Sequence, residues 1–156
     1  MRRKFTVFAF VLSVIAVLAA PQPAVAKNPL DLAVHGNWCG PGARSGSVTD
    51  DLDAACRAHD LCARREGWFH CGCDLAFMDR LRRQSWPTEA LYQKARAVYE
   101  AIALVPCRGV EGQITKLNWA DHDWRGAVAS GREAPGDRTR RLLRLLAEGV
   151  STADSH

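Results

Sequence analysis

The sequence predicts a mostly α-helical domain that is held together by disulfides and begins with a glycine-rich loop. Helical periodicity and capping residues recur between positions 49 and 104, and no segment has a convincing strand pattern longer than a few residues. The chain also carries 6 cysteines. At 156 residues, with 47% hydrophobic and 24% charged residues, it has the size and composition of one globular domain. A large two-domain enzyme and wholesale disorder are both excluded.

Residues 1–26 have the organisation of a secretory signal peptide. Basic residues at positions 2–4 are followed by an uncharged run over 5–20, and positions 24–26 (Ala-Val-Ala) match the small-x-small pattern of a signal peptidase site. We expect cleavage after Ala26, which leaves 130 of the 156 residues, either secreted or kept in the periplasm. An uncleaved membrane anchor is the alternative, although this apolar run is short for a spanning helix.

Cleavage also changes the charge of the protein. The full chain has a formal net charge of +4, with 21 Lys and Arg against 17 Asp and Glu. Three of the cations lie in the signal peptide, so 18 remain against the same 17 acids. A mature chain of net charge +1 lacks the basic footprint of a nucleic-acid-binding protein, and no nucleic-acid partner is expected.

Export determines how the cysteines are interpreted. In an oxidising compartment the six should pair, and about 15 connectivities are possible in principle. A zinc site formed by Cys71 and Cys73 with Cys56 and His59 is the alternative. Disulfides are preferred because thiols outside the cytosol usually oxidise.

Residues 27–48 are rich in glycine, proline and asparagine, which predicts a loop. The first helix should follow directly, because positions 49–51 (Thr-Asp-Asp) provide a capping residue and first-turn acidic groups. We expect this helix to run to about Arg65, and Gly67 suits its end.

Two further helices are predicted in the next part of the chain. The second covers about 72–84 and is stopped by positions 85–87 (Ser-Trp-Pro). Thr88 caps the third, which reaches about Leu104. Its apolar stripe has three- and four-residue spacing and consists of Leu91, Ala95, Val98 and Ile102.

The pattern weakens after Cys107. Residues 109–131 have no clear period, and 130–137 have the composition of a polar linker. Residues 138–147 are basic and leucine-rich and predict a short helix. That helix could lie on a membrane or pack against the rest of the domain.

His59 and Asp60 share one face of the first helix with Cys56. Because the chain turns near Gly67, the first two helices should form an antiparallel hairpin. His59 lies 8 residues before Gly67 and Asp74 lies 7 after it, so they should face each other. Asp74 could then accept a hydrogen bond from one ring nitrogen and leave the other as a general base, as in hydrolases. Polar residues on a solvated helix are the alternative.

The glycine-rich segment has the character of a cation-binding loop. Gly40 and Gly42 permit backbone conformations closed to other residues, so the carbonyl groups of residues 38, 40 and 42 can converge on one point. Calcium takes about 6 to 8 oxygen ligands of this kind. A disulfide from this loop to Cys56 would bring it one helical turn from the Asp60 carboxylate. A plain Gly-Pro turn is the alternative.

Three motifs, in this order, resemble those of the secreted phospholipases A2. They correspond to the calcium loop, the active-site helix and the second-helix carboxylate of that family: Trp38-Cys39-Gly40-x-Gly42, Asp53-x-x-Cys56-x-x-His59-Asp60 and Cys73-Asp74. The match is close over about 37 residues and extends loosely to Cys107. No single motif is specific, whereas the ordered combination in an exported, cysteine-bearing chain is highly specific.

The resemblance implies a calcium-dependent enzyme that hydrolyses the sn-2 ester of glycerophospholipids. It assigns His59 as the base that activates water and Asp74 as the residue that orients it. The implied calcium ligands are the carbonyl oxygens of Trp38, Gly40 and Gly42 and the carboxylate of Asp60. The implied partner is a phospholipid membrane surface or micelle, and we expect a monomer.

The resemblance also implies disulfides and domain limits. It pairs Cys39 with Cys56 and Cys62 with Cys73, and leaves Cys71 and Cys107 for the third bridge. Residues 27–130 would form a phospholipase A2-like domain, and 131–156 a C-terminal tail. This domain would consist of a disulfide-linked antiparallel helix pair, a calcium loop and a third helix.

The sequence departs from the family at several positions. Ala55 stands where the family usually has cysteine, and Ala63 where many members have a tyrosine that supports the second carboxylate. The connection over 62–71 is too short for the β-wing of the animal enzymes. Trp68 and Phe69 at this turn could contact lipid or pack locally. A secreted binding or membrane-perturbing module on the same scaffold is the alternative function, and the retention of all three site side chains favours the enzyme.

Overall fold

The computed structural model describes residues 32–43 and 45–154, which form five helices and no strand. The helices are α1 (Asp51–Glu66), α2 (Cys71–Arg83), α3 (Glu89–Leu104), α4 (Val110–Ala129) and α5 (Asp137–Asp154). The predicted mostly helical, disulfide-linked class is therefore confirmed for these residues. None of these five helices has the length and apolar character needed to cross a bilayer. The predicted signal peptide, 1–26, lies outside the described residues.

The first three helices begin and end close to the predicted positions. Asp50 caps α1, since its side chain accepts a hydrogen bond from the backbone N–H of Asp53 at 2.9 Å. Gly67 ends α1 with φ +97°, in the region that favours glycine. Thr88 caps α3 by accepting a hydrogen bond from the backbone N–H of Leu91 at 3.2 Å.

The helices α1 and α2 run antiparallel. His59 of α1 contacts Asp74 of α2, and Cys62, three residues later on α1, is bonded to Cys73, one residue earlier on α2. Increasing residue numbers on α1 therefore face decreasing residue numbers on α2. Helices α2 and α3 lie at the centre of the molecule. Helix α1 packs on α2, α5 packs on α3, and α4 packs on both. The largest apolar side chains of the core come from the loop and from four of the helices: Trp38, Leu52, Phe77, Met78, Leu81, Val98, Tyr99 and Leu145.

Helix α4 is the main difference from the predicted elements. Its most deeply buried positions are Lys116, Ala120 and Ala127, whereas the apolar residues Val110 and Ile114 are exposed. Because the inward face contains a lysine and two alanines, the segment has no apolar period. For this reason the sequence pattern did not predict the helix that occupies this stretch.

Helix α5 is longer than predicted, and one of its faces is packed in the molecule. Arg141 is buried and donates hydrogen bonds to Glu100 of α3 at 2.5 Å and to Glu133 of the preceding linker at 2.8 Å. Leu145, one turn further, belongs to the core. The sequence left open whether this segment lies on a membrane or packs against the rest of the domain. The face that carries Arg141 and Leu145 packs against the domain.

All six cysteines are paired, and no free thiol remains among them. The bridges are Cys39–Cys56, Cys62–Cys73 and Cys71–Cys107, the pairing that the resemblance implies. The zinc alternative is therefore wrong, because no thiolate is left to bind the metal.

Candidate active site

His59 and Asp74 meet between α1 and α2. Nε2 of His59 lies 2.9 Å from Oδ1 of Asp74. The disulfide between Cys62 and Cys73 joins the same helices next to this contact. Phe77, on the following part of α2, stacks on the imidazole with ring centroids 4.8 Å apart and an angle of 21° between the planes. The imidazole is thus held at one nitrogen and along one face.

Asp74 is buried and contacts a second nitrogen donor. Its Oδ2 accepts a hydrogen bond from Nζ of Lys116 at 2.5 Å. Lys116 is 0% exposed, and its ammonium group also donates to the carbonyl oxygen of Val105 at 2.6 Å. Both carboxylate oxygens of Asp74 therefore have a fixed donor. Sequence reasoning missed Lys116, because it lies in the segment where no helix was predicted.

These donors keep Asp74 ionised in spite of its burial. Burial raises the pKa of the Asp74 carboxyl. The hydrogen bonds from His59 and Lys116 and the charge of Lys116 lower this pKa, and together their effect is larger than that of burial. The pKa of Asp74 therefore lies below its ordinary value of 3.8. Since a carboxylate only accepts hydrogen bonds, His59 carries its hydrogen on Nε2, and Nδ1 is the nitrogen that can accept a proton.

Nδ1 of His59 lies near Asp60, the carboxylate predicted to bind calcium, at 3.9 Å from its Oδ1. Both side chains are at the wall of a cavity of about 520 Å³. Most of its lining is apolar and comes from α1, α2, α3, α5 and the loop. Of the predicted catalytic and calcium-binding residues, five line this cavity: Trp38, Gly40, His59, Asp60 and Asp74. A proton acceptor at the wall of an apolar cavity is suited to general-base chemistry on an apolar substrate.

The glycine-rich loop forms one side of the cavity through Trp38, Gly40 and Pro41. Gly40 has φ +125°, and a Cβ atom at this position would lie 1.8 Å from the carbonyl oxygen of Leu32. The close approach of the two backbone segments therefore requires glycine. Gly42 also has a positive φ, +87°, but it is not one of the residues that line the cavity.

Asp53 connects this loop to α1. It is completely buried, and its carboxylate accepts hydrogen bonds from the backbone N–H groups of Asn37 at 3.0 Å, Trp38 at 2.7 Å and Thr49 at 3.0 Å. The disulfide from Cys39 to α1 adds a covalent link beside these bonds. Sequence reasoning missed this role, because an acidic residue in the first turn of a helix is ordinary.

The donor set of the predicted metal site fits calcium. Within residues 32–43 and 45–154, no three His, Cys, Asp or Glu side chains come together to hold a metal. The predicted site includes only one such side chain, Asp60, since its other protein ligands are backbone carbonyls. All of these donors are oxygen atoms, which calcium prefers, and the Gly40 backbone has a conformation that a Cβ would block.

Exposed apolar side chains surround the opening of the cavity. Trp68, Phe69, Val105 and Leu146 all contribute to its lining and are also exposed to solvent. The turn that carries Phe69 is held in place, because the carbonyl oxygen of Phe69 accepts a hydrogen bond from the backbone N–H of Arg108 at 2.7 Å. We call these four apolar residues the apolar rim.

No protein-family model matches the chain, and no solved structure is significantly similar to it.

Proposed function

We propose that the chain is an exported, calcium-dependent phospholipase A2. In this proposal it hydrolyses the sn-2 ester of glycerophospholipids and releases a fatty acid and a lysophospholipid. The observation that carries the proposal is the 2.9 Å contact between His59 and Asp74 at the wall of an apolar cavity. The ordered motifs of the sequence lend separate support, since they resemble those of secreted phospholipases A2.

His59 acts as the general base. Its Nδ1 accepts a proton from water while the water oxygen forms a bond to the sn-2 carbonyl carbon. When the ester C–O bond breaks, the imidazolium returns this proton to the glycerol oxygen that leaves. Asp74 remains a carboxylate throughout, orients the ring through Nε2 and stabilises the imidazolium.

Calcium would be held by the carbonyl oxygens of Trp38, Gly40 and Gly42 and by the carboxylate of Asp60. When bound, it would supply electrophilic stabilisation of the negative charge that develops on the ester carbonyl oxygen. The backbone N–H of Gly40 donates a hydrogen bond to the same oxygen. Asp53 supports this arrangement because it holds the backbone of the loop against α1.

The cavity and the apolar rim favour a phospholipid as the substrate. A largely apolar space of about 520 Å³ is suited to an acyl chain, and the polar groups of the site stand at its wall. Exposed apolar side chains around the opening are suited to contact with a membrane surface or a micelle. The protein acts as a monomer in this proposal, and it reaches its substrate outside the cytoplasm after removal of residues 1–26.

The proposal is tested with vesicles of a phospholipid that carries different labels on its sn-1 and sn-2 acyl chains. We expect release of the sn-2 label alone, only when calcium is present. A chelator and the substitution His59→Gln should each abolish the release. The control is His122→Gln, because His122 is 87% exposed and lies outside the cavity lining, and this variant should keep its activity.

Hydrolysis that survives chelation or His59→Gln contradicts the proposed mechanism. Release of the sn-1 label would contradict the regiochemistry. Vesicle leakage caused equally by the wild type and His59→Gln, with no hydrolysis by either, would instead favour a membrane-perturbing module.

A further inference from the structure

Lys116 is a lysine that α4 places completely inside the protein. Its ammonium group makes two hydrogen bonds, to Oδ2 of Asp74 at 2.5 Å and to the carbonyl oxygen of Val105 at 2.6 Å. Lysine is rarely buried to this extent, because the ammonium group loses its hydration and needs a counter-charge and further acceptors in return. The site provides both.

A purely stabilising role does not account for this lysine. A buried ion pair usually stabilises a fold no better than apolar side chains of similar volume. Ala120 and Ala127 show that the same inward face of α4 can pack without charge. What distinguishes Lys116 is its partner, because it contacts the one oxygen of Asp74 that His59 does not use.

We propose that Lys116 is a positioning residue for the His59–Asp74 pair. By holding Oδ2 it prevents rotation of the Asp74 carboxylate, so that Oδ1 stays directed at Nε2 of His59. The bond to Val105 fixes the ammonium group itself, since it ties Nζ to the end of α3. Position 63, at the wall of the same cavity, is occupied by a buried alanine. Alanine has no side-chain donor that could hold the Asp74 carboxylate in place of Lys116.

This inference rests on the proposed function in so far as the pair is catalytic, but the hydrogen bonds can be examined without substrate. In isotope-labelled wild-type protein, NMR should detect coupling between Nζ of Lys116 and Cγ of Asp74 across their hydrogen bond. It should also show a downfield resonance for the Nε2 proton of His59. Absence of the coupling would overturn the inference, and this measurement needs no variant that must fold.

Variants then separate positioning from folding. Lys116→Met should shift or broaden the His59 proton resonance, whereas Lys116→Arg, which retains a cation, should restore part of the wild-type signal. The matched control is Lys94→Met, because Lys94 also bridges a carbonyl oxygen, that of Val34, and a carboxylate, that of Glu148. An unchanged His59 resonance in Lys116→Met, or an equal change in Lys94→Met, would overturn the inference.

Kinetics on the same proteins test the route through Asp74. We expect Lys116→Met to lower kcat by roughly 10- to 100-fold, as misplacement of a catalytic group does, with little change in KM. In an Asp74→Asn background the same substitution should lower kcat by less than about twofold, because its target is already lost. Equal losses in both backgrounds, or a loss confined to KM, would overturn the inference. If the wild type hydrolyses no phospholipid, the proposed function fails, and the NMR result still decides the role of Lys116.

Discussion

Asp74 combines burial with ionisation, and its neighbours explain how. One oxygen accepts a hydrogen bond from His59 and the other accepts one from the ammonium group of Lys116. These interactions lower the pKa of Asp74 more than burial raises it. The folded protein therefore holds this proton less tightly than the unfolded chain does, which links the stability of the fold to pH.

This linkage predicts the acid sensitivity of the protein. Since the pKa of Asp74 in the folded state is lowered, its contribution to stability is fully present above the ordinary value of 3.8 and is lost as the pH falls through the lower folded value. Urea unfolding between about pH 6 and about pH 2 should show this loss in the wild type. Asp74→Asn should lose less free energy of unfolding over the same interval. Parallel curves for the two proteins would contradict the assignment.

The residues of the site differ in how far the sequence could predict them. His59, Asp60 and Asp74 were predictable, because helical spacing and the position of the turn at Gly67 bring them together. Lys116 was not, since its partner lies 42 residues away and its own helix has no apolar pattern. The pairing of a buried lysine with a distant carboxylate depends on tertiary packing, which local sequence patterns do not encode.

The contrast between α3 and α4 shows when helical periodicity predicts an element. Helix α3 turns its apolar stripe toward the core, so the period of its sequence matches its burial. On α4 the relation is reversed, because Lys116 is buried while Ile114 and Leu117 are exposed. Periodicity identifies a helix when its inward face includes a continuous apolar stripe, and on α4 one of the inward positions is occupied by the proposed positioning residue.

Helix α5 is held by charge as well as by apolar contact. Arg141 is buried together with Glu100 and Glu133, and Arg96 lies 3.5 Å from both acids. Burial lowers the pKa of Arg141, but the hydrogen bonds to Glu100 and Glu133 raise this pKa by more than burial lowers it. The guanidinium therefore stays charged. Helix α5 in turn supplies Leu145 to the cavity wall, and the ion pairs therefore connect this helix to the shape of the site.

We expect Arg141→Met to destabilise the protein by about 3–5 kcal/mol, because it leaves two buried carboxylates without their main partner. Its neighbour provides the matched control. The side chain of Arg140 is 62% exposed and pairs with Asp137, whereas that of Arg141 is 6% exposed. Arg140→Met should change the free energy of unfolding by less than about 0.5 kcal/mol. Urea unfolding and amide hydrogen exchange in α5 measure both effects.

Equal destabilisation by the two substitutions would show that α5 is not held by the buried ion pairs. Faster exchange in α5 alone, with global stability unchanged, would show that the helix detaches as a separate unit. We expect Arg141→Met to affect both quantities, because α3 carries Glu100 and lies at the centre of the fold.

At the scale of the whole molecule, the proposed docking on a phospholipid surface would depend on apolar contact more than on charge. Without residues 1–26 the formal net charge is only +1, since 18 Lys and Arg face 17 Asp and Glu. Long-range electrostatic attraction to a membrane is therefore weak. The apolar rim, in contrast, lies where the cavity opens, so insertion of these side chains into a lipid surface would place the cavity against the substrate.

Two leucines of α5 allow this orientation to be tested. Leu143 and Leu146 are equally exposed, at 61% and 60%, but of the two only Leu146 lines the cavity. We expect Leu146→Ala to weaken binding and hydrolysis of zwitterionic vesicles by roughly fivefold, or about 1 kcal/mol, because part of an apolar side chain no longer leaves water. Leu143→Ala should have a smaller effect, because this side chain does not line the cavity. Vesicle binding that decreases equally in the two variants, or more strongly in Leu143→Ala, would contradict docking through the apolar rim and would place the outer face of α5 on the lipid instead.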